Sequence, residues 1–351
     1  MQAPVNHIVG LTTIVRERLL PFAGSVVVRL NQKVSPNDII AEANWSREHT
    51  LLDVARSLRI SPFAAERLIK LKVNDRIPAN TEVAVGRGIF PRTVRTQREG
   101  RVAAVGGGQV LLEVGEAKLE VKAGLPGTVV EIIPNRGAVV QTAGALIHGV
   151  WGNGRIDTGS LVNIAEAPDG VLAAGRLDVS LRGSILLAGI VKDAETLKAA
   201  AELPVRGLIL SSLYPSLVAL AREMRYPIMV TEGFGALPMN SAAYKLLATN
   251  AKRDITVNAE IYDRYSGARP EAIIQLPTFS DPPIPHEVVD FVPGLQVRMR
   301  RPPALGMIGS IVSVPRGLTT LPSGLRAPAA EVKLENGETV ITPLVNLEVV
   351  G

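Results

Sequence analysis

Seven positions in the middle of the chain have the residue types needed to bind or transform a small anion. Asp193, Ser211 and Ser212 each follow an apolar run, and so do Thr231, Glu232, Gly233 and Gly235. The hydroxyls supply donors and the carboxylates a general base, while the glycines on either side of Phe234 leave backbone N–H groups open to an anion. Glu232 with Glu260 or Asp263 could in principle form an acid/base pair, although solvated or capping carboxylates are much commoner. Neither G-x-G-x-x-G nor G-x-x-x-x-G-K-[ST] occurs, so dinucleotide and P-loop chemistry are not expected. His7, His49, His148 and His286 are scattered, and no two have metal-ligand spacing. The chain lacks cysteine, which excludes disulfides, zinc–thiolate sites, iron–sulfur ligation and thiol catalysis. No catalytic residue, metal or cofactor is assigned.

A second constellation is basic. Arg87, Arg92, Arg95, Arg98 and Arg101 face a single acid, Glu99, between residues 87 and 101. Five phosphate contacts would give a salt slope of about −4 to −5 on duplex DNA. A spacing of three on an extended segment alternates faces, so about half could reach one backbone. Only Phe90 is nearby for base stacking. The chain's charge supports this location. Residues 1–165 carry net +6, residues 166–283 net −1, and the remainder balances. The first half is therefore where any polyanion would be expected to bind, and a solvated or protein-docking surface is the commoner use of such a stretch.

The elements that must hold these groups differ along the chain. With 351 residues, 46% of them apolar, a multidomain globular protein is expected. No apolar run reaches the ~18 residues of a membrane helix, so membrane insertion is not expected. No signal peptide is visible, and a cytoplasmic location is the expectation. In the first half, Ser25–Leu30, Val102–Val105, Gln109–Val114, Thr128–Ile133 and Ala138–Gln141 read as short strands. The stretch from Thr50 to Lys72 reads as helical, with Ser61 as N-cap and Pro62 opening a second helix.

A repeat runs through these strands. Asn31–Ala41 matches Asn74–Ala84 at an offset of 43, with Asn31/Asn74, Lys33/Arg76 and Val34/Ile77 among the pairs. Residues 136–147 read as a weaker third copy. Gly24-Ser-Val, Gly100-Arg-Val and Gly127-Thr-Val accompany the copies. The pattern resembles the barrel-sandwich hybrid of biotinyl and lipoyl domains over roughly residues 20–165. In carriers of that family a lysine on a hairpin receives the cofactor. The corresponding residues here, 42–46, 85–89 and 148–152, contain no lysine, so no carrier arm is implied.

From 170 to 276, strands alternate with helices of about ten residues, which implies parallel βαβ units. The stretch 208–230 resembles the swivelling α/β domains of phosphoenolpyruvate-utilising enzymes. Those carry a phosphorylated histidine at a strand-to-helix turn, and the turn here, 211–215, has none. Residues 277–287 hold four prolines and read as a linker. Residues 288–351 are β-rich, with Asn336-Gly337 as a hairpin turn, and resemble a KOW or SH3-like barrel.

The expected fold class is multidomain β plus α/β. It comprises a hybrid β region over 1–165 with a helical insert at about 50–72, a parallel α/β domain over 170–276, the linker, and the small barrel. The expected function is a non-catalytic adaptor or scaffold subunit with a protein partner. One alternative is a nucleic-acid or ribonucleoprotein-associated factor using the basic first half and the KOW-like barrel. A second is a small-ligand sensor or enzyme built on the α/β domain.

Overall fold

The computed structural model describes residues 2–86, 91–263, 265–278 and 282–351. Strands hold 47% of the residues and helices 14%, so sheets build the fold and helices cover them. Three sheets dominate: a central one of twelve strands, a terminal one of seven and a smaller one of five.

One side of the central sheet is parallel. Ile156–Asn163, Ser184–Val191, Gly207–Leu213 and Ile228–Phe234 lie side by side in that order. Ser184–Val191 and Gly207–Leu213 are buried at every residue, as parallel strands covered on both faces must be. Helices Ala194–Glu202 and Val218–Glu223 cover one face through Leu197, Ala200 and Ala221. Helix Ser241–Thr249 crosses to the opposite face and buries Ala243 and Leu247 against Ile209, Met229 and Ile255. The parallel βαβ units are those the alternation of strands and helices implies. Strand Asp254–Asn258 departs from that pattern. It runs antiparallel and pairs with Ile156–Asn163 and Glu271–Gln275, which joins the parallel strands to the rest of the sheet.

The 43-residue repeat is structural. Asn31 and Asn74 both have left-handed backbone, at φ 63° and 76°, which Asn tolerates better than most residues. Each donates its N–H across a gap of 2.8 Å, to the carbonyls of Val129 and Val102 respectively. The return bonds run from Val129 to the Gln32 carbonyl and from Val102 to the Asp75 carbonyl, both 2.9 Å. Val34 then pairs with Gly127, as Ile77 pairs with Gly100. A Cβ on Gly24, Gly100 or Gly127 would lie 2.4 Å from a neighbouring strand's carbonyl oxygen, which explains all three Gly-x-Val steps. The third copy does not share this geometry. Residues 137–148 form one continuous strand, hydrogen-bonded along both edges to Ile8–Leu19, Gly127–Ile133 and Glu271–Gln275.

Strands Ile39–Asp53 and Gln109–Lys122 pair along almost their whole length as a ribbon. Residues 54–108 between them form an inserted lobe. Its core is Val54, Leu58, Ala65, Val83, Val102 and Val110 with their neighbours. The helical stretch starts later than its periodicity suggests, because Thr50–Asp53 complete the ribbon opposite Gln109–Leu112. Asp53 then caps Val54–Leu58, accepting from the Arg56 N–H at 2.9 Å. Ser61 caps Pro62–Glu66 in the expected way.

The terminal sheet gathers most of the strands from residue 288 onward and takes in Gln2–Asn6, which lies between the edge strand Val288–Asp290 and Leu347–Val350. Ala329–Leu334 and Thr339–Pro343 form the Asn336-Gly337 hairpin, with Gly337 at φ +87°. The proline stretch is strapped to the central sheet. Thr12 Oγ1 donates to the Pro283 carbonyl at 2.7 Å.

Candidate functional site

The seven strand-end positions lie along one side of the parallel strands, and nearly all are committed to holding the chain. Asp193 caps a helix, accepting from the Thr196 N–H and hydroxyl at 2.8 Å. Ser212 Oγ donates to the Gly235 carbonyl at 2.9 Å and accepts from the Leu237 N–H at 3.1 Å. These two bonds fix the Gly233–Gly235 turn, whose glycines sit at φ +138° and +110°. Thr231 Oγ1 donates to the Leu210 carbonyl at 3.3 Å. Ser211 Oγ is buried and has no hydrogen-bond partner among the described residues. The parallel strands are added in one direction, so no reversal opens a ligand crevice between them.

Glu232 faces the terminal sheet instead of solvent. One oxygen accepts from the Asn240 N–H at 3.0 Å, and the other pairs with the buried guanidinium of Arg298. Arg298 also donates from Nε to Glu348 at 2.6 Å. Burial lowers the Arg298 guanidinium from its ordinary value, and Glu348 opposes that shift. Glu260 has a different partner, Arg18 at 3.0 Å, so Glu232 and Glu260 serve separate ion pairs.

A second buried polar cluster was not legible as a spacing. His7 and His148 meet edge-to-face with ring centroids 4.8 Å apart. The His7 backbone N–H donates to His148 Nδ1 at 3.1 Å. Burial, then the charge of Arg269, hold His148 well below its ordinary pKa. Arg16 and Arg18 flank the buried Glu271, at 2.8 and 3.5 Å. Glu287, at the start of the terminal sheet, lies 3.7 Å from both His7 and Arg16. The His7 imidazole, and after it Arg16, keep the Glu287 carboxyl below its usual range. This cluster and the Arg298 cluster are two ionic joints between the central and terminal sheets. Among the described residues no group of three His, Asp or Glu could hold a metal, and no helix is long and apolar enough to cross a membrane.

The inserted lobe is different. It carries eleven Lys/Arg against four Asp/Glu, net +7, whereas the whole chain is +5. The rest of the protein is therefore slightly acidic. Of the arginines singled out in the sequence, Arg87 lies outside the described residues. Arg95, Arg98 and Arg101 are exposed but paired, with Glu82, Glu48 and Glu113 respectively. Arg92 has no carboxylate partner among the described residues. At the base of the lobe an open cleft of about 1070 Å³ is lined by Trp45, His49, Arg76, Arg101, Glu99 and Glu113 among others. Trp45 and His49 share one strand face, four residues apart. Small-molecule pockets are mostly apolar and enclosed, so a charged, open cleft suits a polymer or a protein segment better.

No model of a known protein family matches this sequence, and no curated protein matches it.

Proposed function

We propose that this chain is a non-catalytic adaptor or scaffold subunit that engages its partner through the inserted lobe. One observation carries the reading, the segregation of charge. The lobe holds net +7, and the remainder of the chain is net negative. The body spends its buried charges on joints between its own sheets, while the lobe presents its charges to solvent. We read the strands of the repeat as barrel-sandwich-hybrid units without a carrier lysine, and the terminal sheet as a KOW or SH3-like barrel. Both are frames that commonly serve in assemblies. The commitment of Asp193, Ser212, Thr231 and Glu232 to intramolecular bonds supports a body without a ligand of its own.

The test is affinity purification of the tagged full chain from its source cells, with and without nuclease, beside an Arg92→Glu/Arg101→Glu variant. Partners that are enriched reproducibly and released by the variant support the adaptor reading. Substrate turnover that disappears in Ser211→Ala, with partners absent, overturns it in favour of an enzyme on the parallel strands.

A further inference from the structure

Two short helices follow the ribbon's end, and their inward sides fill the lobe core with Val54, Ala55, Leu58 and Ala65. What remains outward is one aromatic residue and a set of cations. Phe63 is 67% exposed, which is unusual for a ring of that size in a chain with few aromatics. The Arg67 guanidinium lies over it, 4.4 Å from the ring centroid. Arg56, Arg59, Arg67, Lys70 and Lys72 are all exposed, and Glu66 is the one acid between residues 54 and 72. Only Lys70 makes an ion pair among the described residues, a loose one of 3.7 Å to Glu82. In the neighbouring stretch Arg95, Arg98 and Arg101 are paired with carboxylates, whereas Arg56, Arg59, Arg67 and Lys72 make no ion pair among the described residues.

Arg59 adds an independent sign. It ends the first helix in the left-handed region, at φ 58°. Glycine is the residue favoured there, and an arginine keeps that place at a conformational cost. A cost retained at an exposed position points to a use for the side chain.

We propose that this outward face binds single-stranded nucleic acid, with Phe63 stacking on a base and the surrounding cations on backbone phosphates. Charge complementarity selects a polyanion. The exposed ring selects unpaired bases over a duplex, whose bases are already stacked. The helices, five residues each, are too short to be laid along a major groove as a reading element. The inference rests on the lobe being the binding element, but it names a ligand that the adaptor reading does not require.

The experiment is fluorescence anisotropy of fluorescein-labelled U15 and dT15, with a labelled duplex of equal charge as control, titrated with the full chain between 50 and 300 mM KCl. Five phosphate contacts predict a slope of log K against log salt of about −3.5 on the single strands. Phe63→Ala is expected to weaken single-strand binding about tenfold and leave duplex binding unchanged. Arg59→Gly relieves the left-handed strain, so it should melt no lower than wild type while reducing the salt slope by about 0.7. Arg98→Ala should change little. The proposal is overturned if neither strand binds at 50 mM KCl, if the duplex binds more tightly than the single strands, or if Phe63→Ala and Arg59→Gly leave binding intact. Failure here with lobe-dependent protein partners in the purification would leave the adaptor reading standing. Oligonucleotide binding together with Ser211-dependent turnover would do the reverse.

Discussion

The charges at the sheet joints and those on the inserted lobe are the same kinds of side chain doing opposite work. Arg298 is 2% exposed and sits between Glu232 of the central sheet and Glu348 of its own sheet, so its buried charge is compensated by a carboxylate from each. Arg56, Arg59 and Arg67 are exposed and unpaired among the described residues. A buried pair costs several kcal/mol to break, whereas an exposed cation contributes close to nothing to stability and remains free for a ligand. The difference separates the part of the molecule that holds from the part that can engage.

The largest expected effect is therefore at a joint. Arg298→Ala strands Glu232 in a dry site and should lose about 3–5 kcal/mol in urea unfolding. Replacing both partners, as Arg298→Met with Glu232→Gln, should recover much of that loss. If the single variant unfolds like wild type, the joint does not hold the sheets and the comparison fails.

Gly100 and Gly127 sharpen the contrast, because they hold equivalent places in the lobe and in the body. Valine at either puts a Cβ 2.4 Å from a strand carbonyl and should cost about 2 kcal/mol or more. Hydrogen exchange should show the Gly100→Val loss confined to residues 54–108 and the Gly127→Val loss spread over the central sheet.

The histidine joint predicts a pH dependence. The folded state holds His148 below its ordinary pKa, so the native protein binds fewer protons than the unfolded chain. Stability is full above about pH 6.5 and falls as the pH drops below it, by at most about 1.4 kcal/mol per pH unit. Glu287, also lowered, adds a further loss only below the ordinary carboxylate range. Thermal melts from pH 8 to 5 check this, and His148→Gln should flatten the profile between 6.5 and 5. At the small end, Ser61→Ala removes one helix cap and should cost about 1 kcal/mol, again within the lobe.

What was legible in the sequence follows from which interactions leave a local mark. The 43-residue repeat could be read because a left-handed turn favours Asn and a tight strand approach demands Gly, each at a fixed offset. The parallel strands could be read because burial on both faces demands unbroken apolar runs. Ser61 and Pro62 announced their helix for the same kind of reason. The joints could not be read. His7 and His148 are 141 residues apart, and Glu232 and Arg298 are 66 apart, so no periodicity links them. The arginine stretch was legible as charge, but not the pairing of Arg95, Arg98 and Arg101, since Glu82, Glu48 and Glu113 reach them from other strands. The cations beside Phe63 lie in a stretch that the sequence marks only as helical. Their freedom from partners is a property of the folded surface.

The most direct test of a holding body and an engaging lobe is one paired measurement. Stability and partner capture would be determined together for wild type, Arg56→Glu/Arg67→Glu and Arg298→Met/Glu232→Gln. The account predicts that the lobe variant keeps the wild-type unfolding midpoint and loses its partners, while the joint variant keeps its partners despite a shifted midpoint. Partners retained by the lobe variant and lost by a folded joint variant would contradict it.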